Sequence, residues 1–205
     1  MKIITIGAGV QDIFLSNSSE FRQVCENPDT CFFKLELGAK VDVNKIHFST
    51  GGGATNASVT FARQGIDTAF MGLVGNDPAG IAVLADLDKE GVDTSLVQIS
   101  EKYNTGYSVL LLAPNGERTI LTYRGASTHY DIKDFDFADI SADWLYISNM
   151  SGNMSVLNHI VTEAKKKNIK IMYNPGKKEL SEREKLLGIL EAVDILLTNK
   201  QEMQM

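Results

Sequence analysis

The chain has 205 residues, 43% of them hydrophobic and 22% charged, with a formal net charge of −6. These proportions exclude a disordered or fibrous chain, and the acidic balance argues against nucleic acid or an anionic membrane as a partner. Nothing reaches the roughly 20 apolar residues of a membrane span, and the apolar run before Asp12 is too short for a signal-peptide core, so a cytoplasmic location is expected.

Lys2–Ile6 is a β-branched run that stops at Gly7-Ala8-Gly9, which predicts a buried first strand ending in a tight turn. Residues 14–30 are polar and irregular. Cys25 and Cys31, with no histidine beside them to complete a zinc set, read as reduced thiols. Residues 32–37 and 41–48 alternate in hydrophobicity around Gly38 and predict a half-exposed hairpin. Gly51-Gly52-Gly53 opens a predicted helix over 54–64, closed by Gly65. A strand over 68–74, a helix over 79–90 and a short strand over 96–99 follow. Residues 105–113 and Arg118–Tyr123 flank Pro114-Asn115-Gly116-Glu117, and Asn-Gly between β-rich runs signals a second hairpin. Strands over 144–147, 169–173 and 194–197 then alternate with helices over 155–167 and 181–190, and another helix begins at Asn199. The densest basic run, Lys165-Lys166-Lys167, falls late in a predicted helix, where the dipole favours cations, and reads as a solvated helix end.

Strands alternating with helices imply parallel units covered on both faces. The two hairpins interrupt that rhythm. The pattern predicts one α/β sandwich domain over residues 1–205, with a small β appendage from about residues 14–49 and 104–124.

Gly7-Ala8-Gly9 after a first strand has the start of a dinucleotide fingerprint, but Asp12 stands where the third glycine belongs and would repel a pyrophosphate. No Gly-x-x-x-x-Gly-Lys-Ser/Thr string exists, so a P-loop is excluded. Asp12, just past the first predicted strand, lies at the edge where open α/β sheets bind ligands. It reads either as a turn residue or as an acceptor for vicinal hydroxyls. The glycine run favours the second reading: it lets backbone N–H groups approach a ligand and leads into a helix N-terminus, with Asn56 offering a donor and an acceptor. Arg124, at the end of a hairpin strand, suits either an anionic substrate or a surface ion pair. Asn174-Pro175-Gly176 reads as a turn, and His47, His129 and His159 as structural histidines.

Gly51-Gly52-Gly53-Ala54-Thr55-Asn56-Ala57-Ser58, then Gly65 and Val74-Gly75-Asn76-Asp77, resemble the N-terminal signature of ribokinase-like (PfkB) carbohydrate kinases. Gly80, Gly91-Val92, Thr105-Gly106, Gly116-Glu117-Arg118, Arg124-Gly125-Ala126 and Asn199-x-x-Glu202 extend the match along essentially the whole chain. The resemblance implies a three-layer α/β/α sandwich in which the β appendage is a lid over the sugar. It also implies transfer of the γ-phosphoryl of ATP, with Mg2+, to a hydroxymethyl group of a sugar or nucleoside. Asp12, Gly51, Gly52, Gly53, Asn56 and Arg124 would bind substrate. Asn199 and Glu202 would organise magnesium and phosphate through water. Apart from the resemblance, the apolar outer faces of the hairpins could pair two subunits, and the oligomeric state stays open.

The family's second signature, Gly-Ala-Gly-Asp with its catalytic base, does not occur; Gly7-Ala8-Gly9 is followed by Val10. No general base is assigned, the chain is expected to be C-terminally incomplete, and these 205 residues alone are expected to be inactive. The alternative is a non-catalytic sugar-binding or regulatory protein that keeps only the substrate half. With Arg124 the one cation legible at the site, a neutral substrate is favoured.

Overall fold

The computed structural model describes residues 1–16, 21–27, 30–113 and 115–204. Positions 17–20, 28 and 29 of the segment read as irregular, Pro114 of the predicted turn and Met205 lie outside the described residues. In chain order the elements begin with β1 (Lys2–Ile6), β2 (Val10–Ser16), β3 (Arg22–Asn27), β4 (Thr30–Lys34), β5 (Lys45–Gly51) and α1 (Gly53–Arg63). They continue with β6 (Asp67–Met71), β7 (Leu73–Gly75), α2 (Pro78–Lys89), β8 (Gln98–Ser100), β9 (Gly106–Leu112) and β10 (Arg118–Tyr123). After two short 3-10 turns come β11 (Trp144–Ile147), α3 (Met154–Lys166), β12 (Lys170–Tyr173), α4 (Lys177–Ser181), α5 (Arg183–Leu190) and β13 (Ile195–Leu196).

The main sheet is parallel, in the order β13-β12-β11-β1-β6. Side chains alternate across it. Ile4, Ile6, Ala69, Met71, Leu145, Ile147 and Ile171 point to one face, where they pack with the apolar stripe of α3, Val156, Leu157, Ile160 and Ala164, and with Leu186 and Ile189 of α5. Phe70 turns to the other face and meets Ala54 of α1 with Val83 and Leu87 of α2. Both faces are thus covered, as apolar strands require, and the three-layer α/β/α arrangement follows.

A second sheet of four strands stands outside these layers, in the order β10-β9-β2-β5. Here the predicted first hairpin is corrected. Residues 32–37 and 41–48 do not pair with each other: β4 pairs antiparallel with β3, while β5 pairs antiparallel with β2. The reason is that β2 can fill both of its edges, with β5 on one side and β9 on the other, whereas a local hairpin would leave one edge of β2 open. Reading 14–30 as irregular hid this strand. The reduced-thiol reading is corrected too. The β3–β4 register sets Cys25 opposite Cys31, with Cα atoms 3.9 Å apart, and the two form a disulfide; composition weighs compartment and is blind to register. The helix expected over 181–190 is α5, and a further short helix, α4, precedes it, separated by Glu182.

One carboxylate ties the second sheet to the main body. Asp77 caps α2 by accepting from the Gly80 N–H at 2.8 Å, and it also accepts from the Thr105 hydroxyl and N–H at 2.7 Å each, just before β9 begins. The Thr105 hydroxyl in turn accepts from the Gly75 N–H at 2.8 Å. Burial pushes the Asp77 carboxyl up, but the hydrogen bonds from Gly80, Thr105 and Ala79 outweigh it and hold the group below its usual range. Asp77→Asn cannot accept from both sides, and it is expected to destabilise the fold by about 1–3 kcal/mol near neutral pH. Because the folded pKa is depressed, the native carboxylate's contribution is complete above the unfolded pKa of about 3.9 and is lost as pH falls through the folded value. Urea unfolding of both proteins at about pH 7 and about pH 2.5 checks this; a stability gap that did not shrink in acid would refute it.

Candidate active site at the C-terminal edge of the main sheet

The C-terminal ends of parallel strands are where such sheets bind ligands. At this edge β1 ends at Gly7, β11 at Ser148 and Asn149, β12 at Asn174, and β13 near Asn199. Asp12 is placed differently from the expected turn: it is the third residue of β2, in register with Ser49 on β5 and Ser108 on β9. The three side chains therefore share one face of the second sheet. Burial raises the Asp12 carboxyl above the usual range, and a hydrogen bond from Ser108 partly offsets it.

The glycine run has a separate reason at each position. A Cβ on Gly51 would collide with the Asp12 carboxylate. Gly52 sits at φ +110°, and a Cβ there would strike the Ala8 carbonyl. A Cβ on Gly53 would lie 2.6 Å from Ser148 Oγ, and one on Gly7 2.8 Å from the same atom. Gly52 is the N-cap of α1 and no side chain caps it, so the first-turn N–H groups keep their hydrogen-bonding capacity. Ser148, beneath the loop, is 1% exposed and its hydroxyl has no partner among the described residues.

The structure brings Asp12, Gly51, Gly52 and Gly53 together. Asn56, in the first turn of α1, is exposed and lines a cleft of about 500 Å3 between β5, α1 and α2 together with Ser49, the register partner of Asp12. Arg124 lines a smaller cleft with Asn149, Ser151 and residues 176–179. Asn199 and Glu202 engage each other: Glu202 Oε2 accepts from the Asn199 N–H, and Asn199 Oδ1 accepts from the Glu202 N–H, both at 2.9 Å. Sequence reasoning passed over Ser148, Lys177, Lys178 and Glu179. Only Glu179 left a signal: it follows Gly176 by three residues, in capping-box spacing at the start of α4.

Residues 26–205 match the pfkB family carbohydrate kinase profile, which leaves Asp12 before the matched stretch. An ATP-dependent ribose-1-phosphate kinase of Halopiger xanaduensis is 26% identical over 169 residues, 82% of this chain and 56% of that protein. An uncharacterized sugar kinase of Archaeoglobus fulgidus is 32% identical over 155 residues, 70% of this chain and 58% of that protein. The chain spans about half the length of the curated relatives it matches. Among solved structures, the 2-dehydro-3-deoxygluconokinase of Thermotoga maritima superposes with a TM-score of 0.78, covering 100% of this chain and 61% of that one at 18% identity. The nucleoside kinase of Methanocaldococcus jannaschii, a ribokinase-family member, gives 0.73 over 99% and 62% at 21% identity. The structural likeness carries the ribokinase fold; with the family profile matched over most of its length, the chain belongs to the pfkB family of carbohydrate kinases.

Proposed function

We propose that this chain supplies the substrate-binding part of an ATP-dependent kinase acting on a hydroxymethyl group of a sugar or nucleoside. The observation that carries the reading is the Asp12 carboxylate, lodged against Gly51 beside the uncapped N-terminus of α1. An ionised carboxylate has about four lone-pair sites, and Ser108 is the one side chain seen to lower its pKa, so it can take vicinal hydroxyls. Asn56 and Arg124 would contribute from the flanks, with β2, β5, β9 and β10 as the lid. Family membership and the name of the Halopiger relative support ATP as phosphoryl donor.

Magnesium fits less directly. Among the described residues no group of three or more His, Cys, Asp or Glu could hold a metal ion, and Asn199 and Glu202 are bonded to each other. The pair fits contact through water, and no catalytic step is derived from it. We also propose that a second copy docks on the lid. Phe48 and Leu121 align across the second sheet through Ile13 and Val109, on the face opposite Asp12, and are 57% and 58% exposed. That exposed apolar pair suits a self-complementary contact.

Asp12→Ala is expected to weaken sugar binding by about tenfold or more, a loss of about 1.5–3 kcal/mol from one charge-assisted hydrogen bond. Wild-type affinity should also fall as pH drops through the raised Asp12 pKa, since the neutral acid accepts poorly. Calorimetric titration across pH checks both, and equal affinities for the two proteins would sink the assignment. Residues 1–205 contain no second-signature Asp, so incubation with ATP, magnesium and a sugar panel is expected to show binding without turnover; measurable turnover would place the base among these residues. Phe48→Glu or Leu121→Glu should shift a dimer to monomer in sedimentation velocity, and a monomeric wild type would rule the dimer out.

A further inference from the structure

Arg124, Lys177 and Lys178 converge on one cleft of about 160 Å3 at the C-terminal ends of β11 and β12. All three are exposed, and none forms an ion pair or side-chain hydrogen bond among the described residues. The one carboxylate in the lining, Glu179, is turned inward. Its Oε1 accepts from the Met150 and Gly152 N–H groups at 2.8 Å each, and its Oε2 from the Gly176 N–H at 3.0 Å. Three cations against this one anion give the cleft a formal charge of +2 in a chain whose net charge is −6.

The lysine stem is also seated. Gly152 lies at φ +84°, and a Cβ there would come within 3.0 Å of Lys178 Cβ and 3.2 Å of its Cδ. The glycine lets the stem lie across the loop while the ammonium stays at the surface. The cleft adjoins the glycine loop: Asn149 in its lining follows Ser148, whose Oγ lies under Gly7 and Gly53, and β11 pairs directly with β1. Arg124 directly follows β10, whose sheet carries Asp12. A ligand held by Asp12 therefore has these cations within the same edge.

We propose that this cleft receives an anionic group of the substrate, a phosphate or a carboxylate, so that the protein selects a sugar phosphate or sugar acid over the matching neutral sugar. The inference rests on Asp12 and the glycine loop being the sugar site. It reverses the neutral preference read from sequence, where Arg124 stood alone. Guanidinium supplies the planar fork that an oxyanion fits, and the lysines supply point charges around it.

The test is calorimetric titration of the full chain with matched pairs: ribose and ribose 5-phosphate, fructose and fructose 6-phosphate, glucose and gluconate. At about 0.1 M salt at least one anionic member should bind about tenfold tighter than its neutral partner. In R124Q/K177Q/K178Q, where every substitution is at the surface, that preference should collapse to about threefold or less. No anion preference in the wild type, or a preference that survives in the triple variant, overturns the proposal. So does a triple variant that loses ADP affinity and keeps the preference, because the cleft would then serve a nucleotide phosphate. Asp12→Ala separates the two readings. Neutral sugars bound through Asp12 with no anion preference remove the cleft and leave the sugar site. A charge-dependent preference indifferent to Asp12→Ala does the reverse. Failure of every pair to bind removes both.

Discussion

Glu179 is 1% exposed, and a carboxylate taken that far from water costs several kcal/mol unless its lone pairs are filled. Here the backbone fills them. Two donors belong to the loop after β11 and the third to the loop after β12. The carboxylate therefore fixes the spacing of two neighbouring loops, and the ligand edge of the main sheet takes its shape from that spacing. Tyr173, the last residue of β12, registers the result. Burial first, and the nearby Glu179 charge second, push its hydroxyl far above the usual range, so it stays protonated beside the anion.

Asp12 is the opposite case. It is half-buried like many structural carboxylates, yet among the described residues Ser108 is its one pKa-lowering partner, and its carboxyl is raised where that of Asp77 is lowered. The difference lies in what surrounds the oxygens. Glu179 and Asp77 each accept three protein donors, which leaves little capacity for anything else. Asp12 faces a glycine that withholds its side chain. Carboxylates of one chemistry thus divide into those that hold the fold and one that retains capacity for a ligand, and hydrogen-bond saturation separates them more sharply than burial does.

The βα rhythm was legible because each strand of the main sheet is a short run rich in apolar and β-branched residues, bounded by glycine or a polar turn. Lys2–Ile6 and Trp144–Ile147 fall where the pattern places them, and α1, α2 and α3 start within one residue of it. The second sheet was only half legible. Its β9–β10 hairpin is local and carries its own turn signal, whereas β2–β5 joins residues far apart in sequence, and no local pattern encodes that pairing. The same limit governs the site. The glycine run and Asp12 stand out by residue type, while the inward turn of Glu179 and the gathering of Lys177, Lys178 and Arg124 depend on two loops and a strand end meeting across the fold.

The joint between the two sheets explains why the candidate site lies where it does. β5 belongs to the second sheet and ends at Gly51, and α1 begins at Gly53 and packs on β1 and β6. Gly52 alone separates them, at a φ of +110° that a side chain would strain. The short Gly7-Ala8-Gly9 link between β1 and β2 and the Asp77–Thr105 hydrogen bonds lie at the same junction. The second sheet also packs against α2, and the Thr50 hydroxyl on β5 donates to the Asp86 carboxylate on α2 at 3.0 Å. Asp12 lies in that sheet and Arg124 just past its strand β10, whereas Ser148, Lys177 and Lys178 belong to the main body. On the proposed reading, a ligand bonded to both groups would bridge the junction. Such a bridge favours the conformation in which both sets of contacts are made, by as much as the ligand prefers it to any other.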